Sequence, residues 1–411
     1  TKYFSEWDWE EWGSQGRTCL FIKLDKPIII IKIMHKYLLY FFCFLSIQYT
    51  YSDIFEVYPI YETPPIDTRG DAADDPAFWL NKEFPALSIV FGTDKRAGIY
   101  AYNLRGDKIT FSPVGQINNI DTRTLNLDFK NNNIKTKKDY SFLVGTNRSL
   151  NTVDLWIFID EEINDSMMSE LSNTKNNFQI PVKPNFRVKS ESNIYGTCAG
   201  VHPKYGFVVF VTEDRGPNVE VYYLDGNGLN LLKTFSNGGE SEGCVFDDEN
   251  STLFISEENV RGNLKAYKFD KNFDFVGKPF LIDSRRGQIF GDPEGVSIYK
   301  TDKNDGYIIL SSQGDGKFNI YNRQAPYGFI SSFKIIGNGS IDGVSDTDGI
   351  ETLNYNLKCK DNKNQLDFCD DFPLGVMIVQ DGYNYTGENK VNQNFKLVSF
   401  EQILDNLDVT R

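Results

Sequence analysis

Acidic and amide side chains gather in short polar stretches that each lead into an apolar run. They are "DAADDPAFWL" with Asp71, Asp74, Asp75 and Pro76, "SEGCVFDD" with Glu242, "DPEGVSIY" with Asp292 and Glu294, and "SDTDGIETL" with Asp346 and Asp348. Further polar tips carry Glu257, Glu258, Gln313, Asp342, Gln380 and Asp381, while the earlier part of the chain offers Lys95, Arg96, Arg148 and Arg215. Any one such tip is explained by the preference of Asp and Asn for turns. Their recurrence is not. Crowded carboxylates raise one another's pKa and repel, so a dense group of them expects hard divalent cations with oxygen ligands, calcium first. Cations opposite such a cluster fit phosphate: arginine and ammonium groups hold one edge, metal ions the other, and a metal makes water nucleophilic near neutral pH.

Other phosphatase chemistries fail on residue types. The chain has two histidines, His35 and His202, and no Arg-His-Gly stretch, so a histidine nucleophile is excluded. No cysteine is followed at the sixth position by arginine, which removes the cysteine phosphatase loop, and a zinc site built on histidine lacks ligands. His202, before Pro203 in an apolar stretch, reads as structural.

The elements that must position these residues form two interleaved series. Six apolar runs end in polar tips and return as alternating runs, from "SIVFGTDKRAGIYAYNL" to "VMIVQDGYNYTGENKVNQNFKLVSF". Six Gly- and Asp/Asn-rich tips, among them "INNIDTRTLNLDF" and "YGTCAGVHP", each lead into another strand. About 60 residues per unit suits a four-stranded blade, and the reading is an all-β, six-bladed propeller of antiparallel blades around a central channel. In that fold both series of tips converge on one mouth. Cationic tips from units one to three then face carboxylate-rich tips from units four to six.

With 411 residues, 40% of them hydrophobic, the chain can bury a large core, and its net charge of −14 excludes nucleic acid and anionic membranes as direct partners. Residues 1–33 read as upstream sequence without function. From Met34 a short basic start, an apolar stretch and Thr50-Tyr51-Ser52 read as a signal peptide, residues 34–52, which makes 53–411 a secreted propeller. The apolar stretch is short for a membrane anchor. The remaining cysteines, Cys198, Cys244, Cys359 and Cys369, are too few and too scattered for a disulfide scaffold, and Cys359 with Cys369, flanking a polar loop, is the one pair the sequence suggests. Propellers close their own sheet edges, so a monomer is expected.

From about Asp71 to Ile403 the chain resembles the β-propeller phytases. The resemblance rests on "DAADDPAFWL", "GQINNIDTR", "GTNRS", "EGCVFDDENSTLFISEE", "DPEGVSIY", "GYIILSSQGDGKFNIYNR", "IDGVSDTDGI", "VQDGYN" and "NQNFKLVSFEQI". It implies a calcium-dependent phosphomonoester hydrolase that releases phosphate from myo-inositol hexakisphosphate, approached as its calcium complex, through direct attack of water. It further implies calcium positions at Asp74, Asp75 and Pro76 beside Asn118, Asn119 and Asp121. Carboxylates that hold ions and activate water are expected at Glu242, Glu257, Asp292 and Glu294, with further metal positions at Asp342, Asp348, Gln380 and Asp381. Phosphate is expected on Lys95, Arg96 and Arg148, with Tyr195 at the cleft. One departure is "VTEDRGPN", which places Asp214 where the family usually has lysine, leaving Arg215 as the candidate cation. The insertion "NYNLKCKDNKNQLDFCDDF" is longer than usual. A calcium-dependent lactonase, or a propeller that binds a partner without catalysis, are the competing readings. The cationic tips speak against the first, and calcium-dependent turnover would exclude the second.

Overall fold

In the computed structural model, which describes residues 54–131, 134–171, 178–258, 261–357 and 371–407, the apolar runs form six antiparallel sheets, the blades of a propeller. Blades 1 to 5 follow chain order over residues 73–112, 117–189, 194–236, 244–284 and 292–335. Blade 6 takes Ile350–Leu353, Val376–Asp381 and Asn394–Ser399, and borrows its outermost strand, Tyr61–Glu62, from the other end of the chain. Just before that strand, Phe55–Val57 adds a fifth, parallel strand to blade 5. The ring is therefore closed by early strands laid on late blades. The expected leader lies outside the described residues, as do Cys359 and Cys369. No helix among the described residues is long and apolar enough to cross a membrane.

Second strands such as Ile89–Asp94 and Val376–Asp381 are buried along their whole length. Both faces of each are covered by neighbouring sheets, which is why these runs are continuously apolar instead of alternating. Six apolar clusters fill the six seams. Between blades 4 and 5, for example, Phe254, Leu264, Ile298, Leu310 and Tyr321 interlock. Each such side chain contributes roughly 1.5–3 kcal/mol when fully buried, so packing between blades outweighs any one hairpin. At the closing seam Phe395 of blade 6 occupies the space a Cβ on Gly92 of blade 1 would need, so that position must be glycine.

Two covalent or ionic ties reinforce the seams. Cys198 and Cys244, a pair the sequence reading did not single out, form a disulfide between the inner strands of blades 3 and 4, with Cα atoms 5.6 Å apart. The propeller supplies the proximity that a sequence separation of 46 conceals. Buried Arg323 of blade 5 reaches Asp247 of blade 4 through two hydrogen bonds of 2.7 and 2.6 Å, and Glu249 through a third of 2.6 Å.

Candidate active site

Each inner strand begins at the channel mouth, and six positions there are equivalent: Asp74, Asn118, Tyr195, Glu242, Glu294 and Asp348. In blades 1, 2, 3 and 5 the pairing with the second strand slips at this point, between Ala73 and Pro76, Ile117 and Ile120, Ile194 and Thr197, and Pro293 and Val296. Such bulges free one residue from the ladder and re-aim its side chain. Here they turn Asp74, Asn118, Tyr195 and Glu294 toward the mouth.

The next residue along is glycine in blades 3 to 6. A Cβ on Gly196, Gly243 or Gly295 would strike the carbonyl of Glu242, Glu294 or Asp348 respectively, and one on Gly349 would meet Asp74 and Asp75. Gly295 N–H donates to the Asp348 carbonyl at 2.7 Å and Gly349 N–H to that of Asp74 at 3.1 Å. Glycine thus brings successive blades into backbone contact around the rim. The dipeptides Glu-Gly, Glu-Gly and Asp-Gly in the sequence are the trace of this device.

Carboxylate oxygens of Glu242, Glu258 and Glu294 all lie within 4.8 Å of one another. Both Asp74 carboxylate oxygens, Glu258 Oε1 and Glu294 Oε2 are buried without a hydrogen-bond partner. Burial, followed by the charge of Glu242, pushes Asp74 up to about 7 and Glu258 up to about 9. Glu242 is likewise raised to about 7, mainly by burial, against the pull of Lys95. Glu294 and Asp348 rise well above the usual carboxylate range for the same first cause. So much uncompensated negative charge, offered by hard oxygen donors, fits a divalent cation such as calcium.

Lys95 stands in this field, 2.8 Å from Asp71, 3.1 Å from Asp348 and 3.6 Å from Asp74. Burial works against its charge, but Asp74, Asp348 and Glu242 more than offset that, and the ammonium is stabilised. Arg148 donates to Asn118 Oδ1 at 2.9 Å, and Asn118 in turn hydrogen-bonds Glu242. Tyr195, also hydrogen-bonded to Glu242, is held protonated by burial and by the surrounding glutamates. Lys95, Tyr195, Glu242, Glu294 and Asp348 line one cleft of about 390 Å³. Lys95, Arg96, Gln116 and Arg148 line a second of about 290 Å³, and Asp71 borders both.

The other expected positions are arranged differently. Glu257 is buried against Lys265 and accepts from Asn263 at 2.6 Å, while Glu258, one residue on, enters the cluster. Adjacent residues of an extended chain point to opposite sides, so only one of the pair can face the mouth. The acidic doublet is the sequence signal for Glu258. Asp292 pairs with Arg285, its side chain half exposed, outside the three-glutamate cluster. Asp342 and Asp381 both bind Lys396, which is fully buried. Gln380 is a clamp: its side chain accepts from Asp348 N–H at 2.9 Å and donates to the Ala73 carbonyl at 3.1 Å.

Asp75 accepts from Ile120 N–H at 3.0 Å, Asn119 N–H donates to Thr146 at 3.2 Å, and Pro76 lies buried in the inner strand of blade 1. Asp121 sits deeper, bound to Arg123 at 2.8 Å and to Ala199 N–H at 2.8 Å. In blade 3, Arg215 takes a left-handed backbone conformation with φ 56° and leaves 87% of its side chain in solvent. Asp214 is the residue that turns toward the site, 3.9 Å from Arg148.

Fold and mouth together define a six-bladed propeller with a cluster of buried carboxylates set beside fixed positive charge. The profile of the family described as Phytase matches residues 27–411. The 3-phytase of Bacillus subtilis (strain 168) is 30% identical over 353 residues, covering 84% of this chain and 84% of that one. The chain belongs to the phytase family. Among solved structures, a luciferin-regenerating enzyme aligns over 83% of this chain and 95% of its own with a TM-score of 0.50 at 12% identity, a likeness of fold alone.

Proposed function

We propose that the mouth hydrolyses phosphate monoesters of myo-inositol hexakisphosphate in a calcium-dependent reaction, in a secreted and monomeric protein. One observation carries the reading: oxygens of Asp74, Glu258 and Glu294 that lack a hydrogen-bond partner lie at the same mouth as Lys95, Arg96 and Arg148. Glu242, Glu258, Glu294 and Asp74 would hold calcium, which when bound supplies Lewis acidity and lowers the pKa of water at the site. Water adds to phosphorus in line with the ester oxygen. The bond from phosphorus to that oxygen breaks, the inositol oxygen takes a proton, and orthophosphate leaves.

Lys95, Arg96 and Arg148 neutralise charge that spreads over the equatorial oxygens, and they are already in place before the reaction. Tyr195 keeps its proton at any physiological pH and fixes Glu242 by hydrogen bonding. No side chain needs to form a covalent phosphoryl intermediate. The test is phosphate release at neutral pH with calcium and then with excess chelator, beside calorimetric titration of calcium into the metal-free protein. Release that depends on calcium, with binding lost in Glu242→Ala, is expected. Release unaffected by chelation would overturn the metal role.

A further inference from the structure

We propose that Lys390 is a specificity-determining residue that takes a second, non-reacting phosphate of the substrate; the inference rests on the phosphatase reading above. The sequence places cationic tips in units one to three, but the structure rotates that arc by one blade. Blade 3 presents Asp214 to Arg148 and sends Arg215 into solvent. Blade 6 instead brings Lys390, which lines the 390 Å³ cleft together with Lys95 and Tyr195. The fixed positive charge therefore comes from blades 6, 1 and 2, which are consecutive in the closed ring. The carboxylate cluster comes from blades 4 and 5.

Lys390 is held for this task. Its ammonium lies 3.9 Å from the centre of the Tyr383 ring, another wall of the cleft, and it makes no ion pair among the described residues of a chain carrying a net charge of −14. An ammonium on an aromatic face keeps its outer side free for an anion. The small hairpin that carries it, Tyr385–Thr386 with Asn389–Lys390, is tied down at both stems. Tyr385 N–H donates to Asp342 at 2.8 Å, and Asn392 donates to the Ile66 carbonyl at 2.8 Å. Asp71 and Asp346 border the same cleft, so a lone monoanion meets a mixed field there, whereas a ring bearing several phosphates can reach Lys390 while its reacting ester stands at the glutamates. A point charge without directional demand suits a phosphate that is bound and not transformed.

The test compares Lys390→Ala and Lys390→Arg with the unaltered calcium-loaded protein. Phosphate release is followed from inositol hexakisphosphate and from p-nitrophenyl phosphate, and binding of myo-inositol hexakissulfate, which cannot be turned over, by calorimetry. Lys390→Ala should raise KM for the hexakisphosphate and weaken hexakissulfate binding about tenfold, leaving kcat and the aryl monophosphate unchanged, with recovery in Lys390→Arg. Active enzyme whose affinity for the polyanions ignores Lys390, or whose KM for both substrates shifts equally, overturns the assignment. A protein that binds hexakissulfate through Lys390 yet releases no phosphate supports the subsite and sinks the phosphatase reading instead.

Discussion

The guanidinium of Arg148 lies 5.6 Å from the centre of the Tyr195 ring while bonding Asn118 at 2.9 Å, so an aromatic face and an amide fix one cation between them. Arg148→Ala is expected to lower kcat/KM for phosphate release on the order of 10²-fold, as for loss of one preorganised electrostatic donor. Lysine should recover little of this, because an ammonium neither stacks nor donates in a plane. Phosphate release beside circular dichroism checks both statements, and full activity in Arg148→Lys would contradict the stacking account.

Glu257 and Glu258 separate by function although they are neighbours. Glu258→Gln should weaken calcium binding at least tenfold in a calorimetric titration. Glu257→Gln should retain calcium affinity but lower the melting temperature, since it leaves Lys265 buried without its carboxylate. The reverse order of effects would place Glu257 at the metal.

Asp214 stands 3.9 Å from Arg148 and draws part of its charge away from a ligand. Both side chains are partly exposed, so the pair is weak and screened by salt. Asp214→Asn should lower KM for a polyphosphate only about two- to fivefold, and the gain should shrink as ionic strength rises. Steady-state kinetics at two salt concentrations provide the measurement.

Asp247 titrates below its ordinary value: burial raises it, but hydrogen bonds from Arg323 and Asn250 prevail. A carboxylate depressed by folding contributes stability that is present above its unfolded pKa of about 3.9 and is lost as pH falls through the lower folded value. Asp247→Asn should therefore flatten the acid limb of the melting curve below about pH 4. At neutral pH it should also cost about 3–5 kcal/mol, because buried Arg323 keeps only Glu249 and the carbonyls of Asp302 and Asp305 as partners and loses its buried carboxylate. An unchanged acid limb would assign the loss to other carboxylates.

The six-blade fold and the convergence of polar tips were legible because blade repeats leave periodic traces: apolar runs, glycine-rich tips and alternating returns. Which acid of a doublet faces the mouth was not, since Glu257 and Glu258 differ only in strand phase. The disulfide was hidden for a related reason: Cys198 and Cys244 are far apart in sequence and become neighbours only when inner strands line a channel. The roles of Asp342 and Asp381 turned on Lys396, an isolated lysine in "NQNFKLVSF" whose burial no local pattern announces. Lys390 escaped notice because it belongs to a hairpin outside the blade repeat.

The strand Tyr61–Glu62 is synthesised early, yet its partner Asn394–Ser399 emerges from the ribosome more than three hundred residues later. Until then blade 6 lacks its outer edge and cannot settle against blade 1. The contact between Gly349 and Asp74 spans that same seam, so the acidic mouth is completed by the final step of ring closure. Glu242, Glu258 and Glu294 come together within blades 4 and 5, so what closure adds is Asp74 beside Asp348: a chain clipped before Asn394 should bind calcium more weakly than the closed ring.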